Sequence, residues 1–547
     1  MTPLEAGLPP GSSTPEDKDD DADSAGIKVG GPPIDHEQEV PSLAQSLKAA
    51  ADDAFRDQRQ APPAVLVLFG ASGDLANRKI LPALAGLIDR QAIGPAFSIV
   101  GVARTDWSDD EFKKAAIKAV PGAGPSWASA VEGFRYISGE YGDAATFAKL
   151  AAVLKEVDSK RATQGNRVYY LATLPSLFAT LSDALGAAGL NRPENQGGFV
   201  RLVVEKPFGR DLESANSLDA RLHSNFDEDQ IYRIDHYMGK ETVQNLLALR
   251  FANAMFEPVW NRRYLDHIQV TVAESIGVER RGEFYETAGA LRDIVQNHVM
   301  QVLSLTLMEP PATVDANGIR DEKVKLLRAV VIPTEDQVIA NTVRAQYRKG
   351  WVEGEEVVGY REEPRVSPSS TTETYVALQL NVDNWRWAGV PIYVRTGKRL
   401  PKRATEVALQ FQRVPHLPFS AMLSRQLGPN AMVLRIQPDE GITLRFGAKV
   451  PGQAFEVRSV SMDFSYEAAF LEEPQDAYER LMLDALSGDP TLFIRTDEVD
   501  QAWRIVSPVL AAFSDGAVPL SQYAAGTWGP READRLLQRD GRVWRKP

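Results

Sequence analysis

The run Val65-Leu66-Val67-Leu68-Phe69-Gly70-Ala71-Ser72-Gly73-Asp74-Leu75-Ala76 constrains this chain more than any other segment. Five apolar residues ending on a glycine, then a second glycine, then helical apolar spacing through Leu84, predict a buried strand, a tight turn and a helix start. Gly70 permits the turn, Gly73 lets backbone N–H groups approach a pyrophosphate, and Ala76 is small enough for close helix–strand packing. The helix N-terminus adds free donors and a partial positive charge. Such a glycine pattern is degenerate by itself, and its weight comes from standing at the head of an alternating run.

From Ala64 to Asp235, short apolar strands (residues 65–69, 98–102, 168–172 and 200–204) alternate with helical stretches, the signature of βαβ units and a parallel sheet. Beyond about Arg262 the strands change character: 268–273, 374–380, 393–396, 406–411 and 432–437 read as half-exposed and follow one another through turns. The expected fold is therefore α/β, with a Rossmann-type parallel sheet over residues 62–235. An α+β domain over residues 236–547 is expected to carry a large, mainly antiparallel sheet. Residues 1–61 hold Gly, Pro and Ser clusters, an acidic run from Glu16 to Asp21 and one short helical pattern at Leu43 to Phe55. They read as a disordered acidic extension.

Composition narrows the chemistry. No cysteine is present, which excludes thiolate nucleophiles and Cys-based metal centres, and six histidines leave little for a His-based one. No metal is expected, and redox chemistry has to come from a bound cofactor. A net charge of −13 argues against nucleic-acid or anionic-membrane partners, so an anionic substrate calls for a locally basic cleft. With neither a 20-residue apolar run nor a leader pattern at the N-terminus, the expected compartment is cytoplasmic.

Four further segments carry candidate chemistry. After the second strand, Arg104 and Thr105 stand where many NAD enzymes have an acid, and a guanidinium there suits a ribose 2′-phosphate, which favours NADP. A solvated strand-end arginine is the alternative. Glu205-Lys206-Pro207 brings Lys206 to the carboxyl edge of the sheet, with a proline that favours a cis bond, although Lys206 and Glu205 could simply pair. Arg233 to Glu241 leads from a strand into a helix, and His236, Tyr237, Lys240 and the helix N–H groups could enclose a dianionic phosphate. A helix capped by Thr287 and running through Leu307 carries His298 on its apolar face, where a core histidine is the plainer reading. Asp293, five residues earlier, stands about 140° away at α-helical winding, and so could meet the same ligand only from another side.

Together, Gly70–Leu84, Glu205–Asp211, Arg233–Ala252, Asp293–Gln301 and Arg395–Arg403 resemble the glucose-6-phosphate dehydrogenase family, in order and spacing, from about Ala64 into the C-terminal region. The Asp-His-Tyr-x-Gly-Lys-Glu run is specific to that family, whereas the glycine turn and Glu-Lys-Pro are shared with other dehydrogenases. The resemblance implies oxidation of glucose 6-phosphate at C1 to the 1,5-lactone with hydride transfer to NADP, the first step of the oxidative pentose phosphate pathway. It makes His298 the general base and Asp235 its orienting carboxylate. His236, Tyr237 and Lys240 would hold the 6-phosphate, Lys206 would bridge cofactor and sugar, and Lys79, Glu274, Asp293, Lys398 and Arg403 would complete the substrate contacts. Gly70, Ala71, Ser72, Gly73, Asp74, Leu75, Ala76, Arg104, Thr105 and Tyr170 would hold NADP. A homodimer or homotetramer associating through the second domain's sheet is also implied. Met238, Asn77 and Arg403 depart from residues common in the family without removing a reacting group. Two other readings stay open here: a dehydrogenase for an unphosphorylated sugar, and a sensor that has lost catalysis.

Overall fold

Unbroken runs of Val, Leu and Ile have no polar face to offer water, and in the computed structural model they form the centre of a parallel sheet. The structure describes residues 59–418, 427–452, 455–470 and 476–547. The extension expected over residues 1–61, with its helical pattern, lies outside the described residues as far as residue 58. At its end, Ala61 N–H already donates to the Ala92 carbonyl at 2.8 Å.

The first sheet comprises β1 (Ala64–Phe69), β2 (Phe97–Ala103), β3 (Arg135–Ser138), β4 (Arg167–Leu171), β5 (Val200–Glu205) and β6 (Ile231–Ile234), in the order β3-β2-β1-β4-β5-β6 and parallel throughout. All six residues of β1 are buried, because helices such as Leu81–Asp89 and Ala144–Arg161 cover the sheet. Strand order reverses between β1 and its neighbour β4, and the crevice at that point opens along the carboxyl ends of the strands. The glycine turn, Lys206 and Asp235 directly follow β1, β5 and β6. The four residues of β3 follow no apolar run and escape the sequence reading.

The second sheet has nine strands. β7 (Leu265–Ala273), β8 (Thr342–Arg348), β11 (Tyr375–Leu380), β12 (Ile392–Gly397), β13 (Ala404–Phe411), β14 (Ala431–Gln437), β15 (Gly441–Lys449), β16 (Val457–Ser465) and β17 (Leu520–Ala524) lie in the order β16-β15-β14-β13-β7-β12-β11-β8-β17. A small hairpin, β9 (Gly350–Val352) with β10 (Glu355–Val357), stands apart. Pairing is antiparallel except for β7 with β12 and β8 with β17. The expectation of half-exposed strands fails at the centre, where β12 is wholly buried and β7 nearly so. Helices cover one face, and C-terminal aromatics close the other, with Trp528 and Trp544 stacking on the Arg395 guanidinium of β12. The alternating, open pattern appears at the margin, on β15 and β16.

Because β7 and β12 run parallel and in register, Ala273 opposite Gly397, the next residues Glu274 and Lys398 emerge side by side. The chain beyond residue 235 also returns to the first sheet: Ile494 N–H donates to the Arg233 carbonyl at 3.0 Å, and the Trp503 indole donates to the Phe208 carbonyl at 2.8 Å. Among the described residues no helix is long and apolar enough to cross a membrane.

The helix expected from Thr287 to Leu307 is in fact three consecutive segments, Gly282–Ala290, Leu291–Val299 and Met300–Leu307. Thr287 does not start it; its hydroxyl donates to the Phe284 carbonyl one turn back. The break comes at Gly289, with φ 65° and ψ 174°, where a Cβ would stand 2.4 Å from a Glu373 carboxylate oxygen. That carboxylate receives the Leu291 N–H at 3.1 Å, so a residue far along the chain caps the new segment.

Candidate active site

At the glycine turn, Gly70 has φ 81° and a Cβ there would lie 2.3 Å from the Ala172 carbonyl oxygen, so no side chain fits. Gly73 N–H closes the turn on the Gly70 carbonyl at 2.8 Å, and the Asn77 amide donates to the Gly73 carbonyl at 2.7 Å. Asn77 thereby braces the turn. The Ser72 and Thr105 hydroxyls lie 2.8 Å apart across the crevice, and Arg104 projects into solvent beside them. Tyr170 stands apart from this hydroxyl pair: it is fully buried and its hydroxyl donates to Glu205 at 2.5 Å.

Asp235, fully buried, accepts the Tyr237 N–H at 3.0 Å and His298 Nδ1 at 2.5 Å. With Nδ1 assigned as the donor from this bond, Nε2 is left as the acceptor. Burial alone would raise the Asp235 pKa, but the charge and hydrogen bond of His298 outweigh it and hold the carboxyl well below its usual range. Burial likewise pushes His298 below 6.5 against the pull of Asp235. The resting pair is thus a carboxylate and a neutral imidazole. The His298 ring stacks on Tyr237, centroids 4.1 Å apart, and meets His236 edge-on at 4.7 Å. Donor atoms of Asp235, His236 and His298 lie within 4.8 Å of one another, and Asp235 Oδ1 accepts from both His298 and the Tyr237 N–H.

The expected separation of Asp293 from His298 is wrong, because residues 291–299 wind as a π-helix: Met300 N–H reaches back five residues to the Val295 carbonyl. Under that winding a residue five along stands where a residue four along stands in an α-helix, on the same face. Asp293 and His298 accordingly line one cavity of about 700 Å³. Lys206 does not pair with Glu205; its ammonium donates to the Asp293 carbonyl at 2.8 Å and carboxylate at 3.1 Å. Its bond to Pro207 is cis.

In the same cavity, Lys240 immediately precedes helix Glu241–Phe251, leaving the first-turn N–H groups without a side-chain cap. Burial, reinforced by the Arg403 charge, pushes the Lys240 ammonium down to about 8. Lys240 lies over the Tyr237 ring at 4.5 Å, and the Gln437 carbonyl oxygen accepts from both Lys240 and Arg403, from the latter at 2.9 Å. The Gln437 amide in turn donates to Thr405 at 2.9 Å and to the Tyr237 hydroxyl at 3.3 Å. Glu274 and Lys398, delivered by the parallel strands, pair at 2.6 Å, with Glu274 on the cavity wall.

The expected basic cleft is not basic on balance. Five cations (Lys79, Lys206, Lys240, Arg281, Arg403) and five carboxylates (Glu241, Glu274, Asp293, Glu440, Asp476) line it. Arg281, Gln437, Glu440, Asp476 and Tyr478 escape sequence reading, since each stands in a stretch with no motif and is brought in by topology. Tyr478 opens helix Ala477–Ser487 and bonds to Glu205, whose carboxyl burial pushes up to about 7.

Residues 67–245 match the family model described as "Glucose-6-phosphate dehydrogenase, NAD binding domain" and residues 247–545 the one described as "Glucose-6-phosphate dehydrogenase, C-terminal domain". Glucose-6-phosphate 1-dehydrogenase 2 of Mycobacterium tuberculosis is 48% identical over 495 residues, covering 89% of this chain and 96% of the relative. The enzyme of Aggregatibacter actinomycetemcomitans is 50% identical over 486 residues, covering 88% and 97%. A solved glucose-6-phosphate dehydrogenase in complex with its substrate glucose 6-phosphate superposes with a TM-score of 0.81 at 33% identity, covering 90% of this chain and all of the other. With both halves matched and near-complete relatives at these identities, the chain belongs to the glucose-6-phosphate dehydrogenase family.

Proposed function

We propose that the chain oxidises glucose 6-phosphate at C1 with NADP as acceptor, His298 acting as the general base. The observation that carries this reading is the buried Asp235–His298 pair, which shares one cavity with Tyr237, Lys240 and Arg403. A neutral imidazole held by a carboxylate can take the C1 hydroxyl proton from Nε2 while Asp235 steadies the imidazolium that forms. Lys240, Arg403, His236 and the uncapped helix start bind the 6-phosphate. Asp293, Glu274 and the lysines paired with them, Lys206 and Lys398, orient the sugar hydroxyls.

The glycine turn fits a dinucleotide, since Gly70 holds a left-handed turn at the carboxyl end of β1 and a helix begins directly after it, at Ala76. A nicotinamide nucleotide bound there supplies the hydride acceptor. Arg104, with the linked Ser72 and Thr105 hydroxyls, supports a 2′-phosphate and hence NADP. A homodimer or homotetramer in the cytoplasm completes the reading, supported by Val460 and Met462, which lie exposed on the edge strand β16; sedimentation velocity tests the assembly.

The deciding experiment follows the absorbance of reduced nicotinamide with glucose 6-phosphate or glucose and with NADP or NAD. Turnover is expected with the phosphorylated sugar and NADP. Equal rates with glucose, or no turnover with glucose 6-phosphate, would overturn the substrate assignment.

A further inference from the structure

Helix Ala477–Ser487 brings Tyr478 to the cavity, and it and its cap Asp476 supply three acidic groups that pair with cations in or just before the first α/β region: Asp476 with Lys79, Glu479 with Arg90, and Asp484 with Arg59. The first of these faces the cavity, where both partners form part of the wall. Glu479 and Asp484 do not line it, so the helix stays fastened if the first pair opens. Lys79 and Asp476 meet at 3.1 Å with each side chain about half exposed, 49% and 45%. Such a pair is weakly held. Lys79 also adds to the positive field that lowers the Lys240 pKa, which places it in reach of the group that binds phosphate.

We propose that Asp476 is an affinity-setting residue, an internal competitor that holds Lys79 until a dianionic sugar phosphate takes over the ammonium. Lys79 changes partner on binding. The same competition weakens the hold on the phosphorylated lactone, so Asp476 trades ground-state affinity for release. Its other oxygen accepts the Tyr478 N–H at 2.8 Å and caps the helix. Asparagine keeps that cap while removing the charge.

This proposal rests on the sugar-phosphate reading above, and the test separates the two. Wild type, Asp476→Asn and Asp476→Ser are assayed as full-length chains with glucose 6-phosphate, with glucose, and with inorganic phosphate as a competitive inhibitor. Both variants are expected to lower KM for glucose 6-phosphate and Ki for phosphate by about two- to fivefold, the range set by an exposed ion pair. KM for glucose should not move. In a Lys79→Met background the effect of Asp476→Asn should vanish. Unchanged or raised KM and Ki, an equal gain for glucose, or persistence of the effect without Lys79 would overturn the proposal. Failure of the wild type itself to turn over glucose 6-phosphate would overturn the functional reading instead.

Discussion

The two ends of the cleft are built by opposite means. At the nucleotide end the main chain sets the shape: Gly70 and Gly73 form a turn closed by backbone hydrogen bonds on itself and on β2, while Arg104, Thr105 and Asp74 stand in solvent with few bonds to hold them. At the sugar end it is side chain, and nearly every polar group already has a partner: His298 with Asp235, Lys206 with Asp293, Lys398 with Glu274, Lys240 with Gln437. A cradle made of main chain is rigid without help and tolerates an open rim. Reacting and charge-bearing side chains in a low-dielectric cavity must be held in place by partners, most of them of opposite charge, or their burial would cost several kcal/mol per ion. The substrate therefore enters by exchanging partners, and the cofactor enters by filling a shape.

If that contrast is right, single side-chain changes at the sugar end should cost far more than those on the nucleotide rim. His298→Asn is expected to lower kcat by about 10²- to 10⁴-fold, the range for losing a positioned general base, with little change in KM. Near wild-type turnover in steady-state assays would remove His298 from the mechanism. Lys240→Ala removes one charge-assisted bond to the phosphate and should raise KM for glucose 6-phosphate about 10- to 100-fold while leaving KM for NADP alone. Equal shifts in both constants would mean that the two ends are not separate.

The same contrast explains what could be read without coordinates. A turn is written in consecutive residues, so Gly70 to Ala76 announced it, and the alternation of strands and helices from Ala64 to Asp235 announced the parallel sheet behind it. The sugar end is written in pieces. His236, Tyr237 and Lys240 were legible because they share one run, whereas Lys398 and Arg403 entered only through the family resemblance of Arg395–Arg403. Gln437 ends a stretch that reads as an ordinary strand and Tyr478 stands in one that carries no motif, and the register of β13 with β14 and the return of helix Ala477–Ser487 are what bring them in. The relation of Asp293 to His298 was misjudged because π winding has no sequence signature comparable to the 3.6-residue period. Centre strands of the second sheet looked half-exposed because the aromatics that cover them, Trp528 and Trp544, come from the far end of the chain.

On the rim, Arg104→Ala should reduce the preference for NADP over NAD by about tenfold, the worth of one charge-assisted contact, with kcat nearly unchanged. The comparison sharpens if Gly70→Ala, which adds only a methyl group, does more harm. With φ at 81° and a carbonyl 2.3 Å from the new Cβ, it should cost about 1–3 kcal/mol of backbone strain and raise KM for NADP. Equal tolerance of both changes, read by thermal denaturation and KM for NADP, would show that the cradle is not rigid.

The smallest effects are in the pH profile, and they too divide by site. His298 must be neutral to accept a proton, and burial lowers its pKa, so kcat should hold its plateau to a pH below the 6.5 of an ordinary imidazole. The measurement has to be kcat, because the substrate phosphate takes up its own proton near pH 6 and bends kcat/KM on the acid side whatever the enzyme does. Lys240 acts in the opposite sense. It binds phosphate as the ammonium, and a pKa pushed down to about 8 means that the charge is present below that pH and lost above it. The ratio kcat/KM should therefore fall a few-fold above about pH 8 while kcat stays level, since bound phosphate restores the ammonium. Lys240→Arg keeps its charge throughout this range and should abolish the alkaline fall without moving the acid limb of kcat. An alkaline limb that survives in this variant would assign the titration to another group and leave Lys240 a fixed charge.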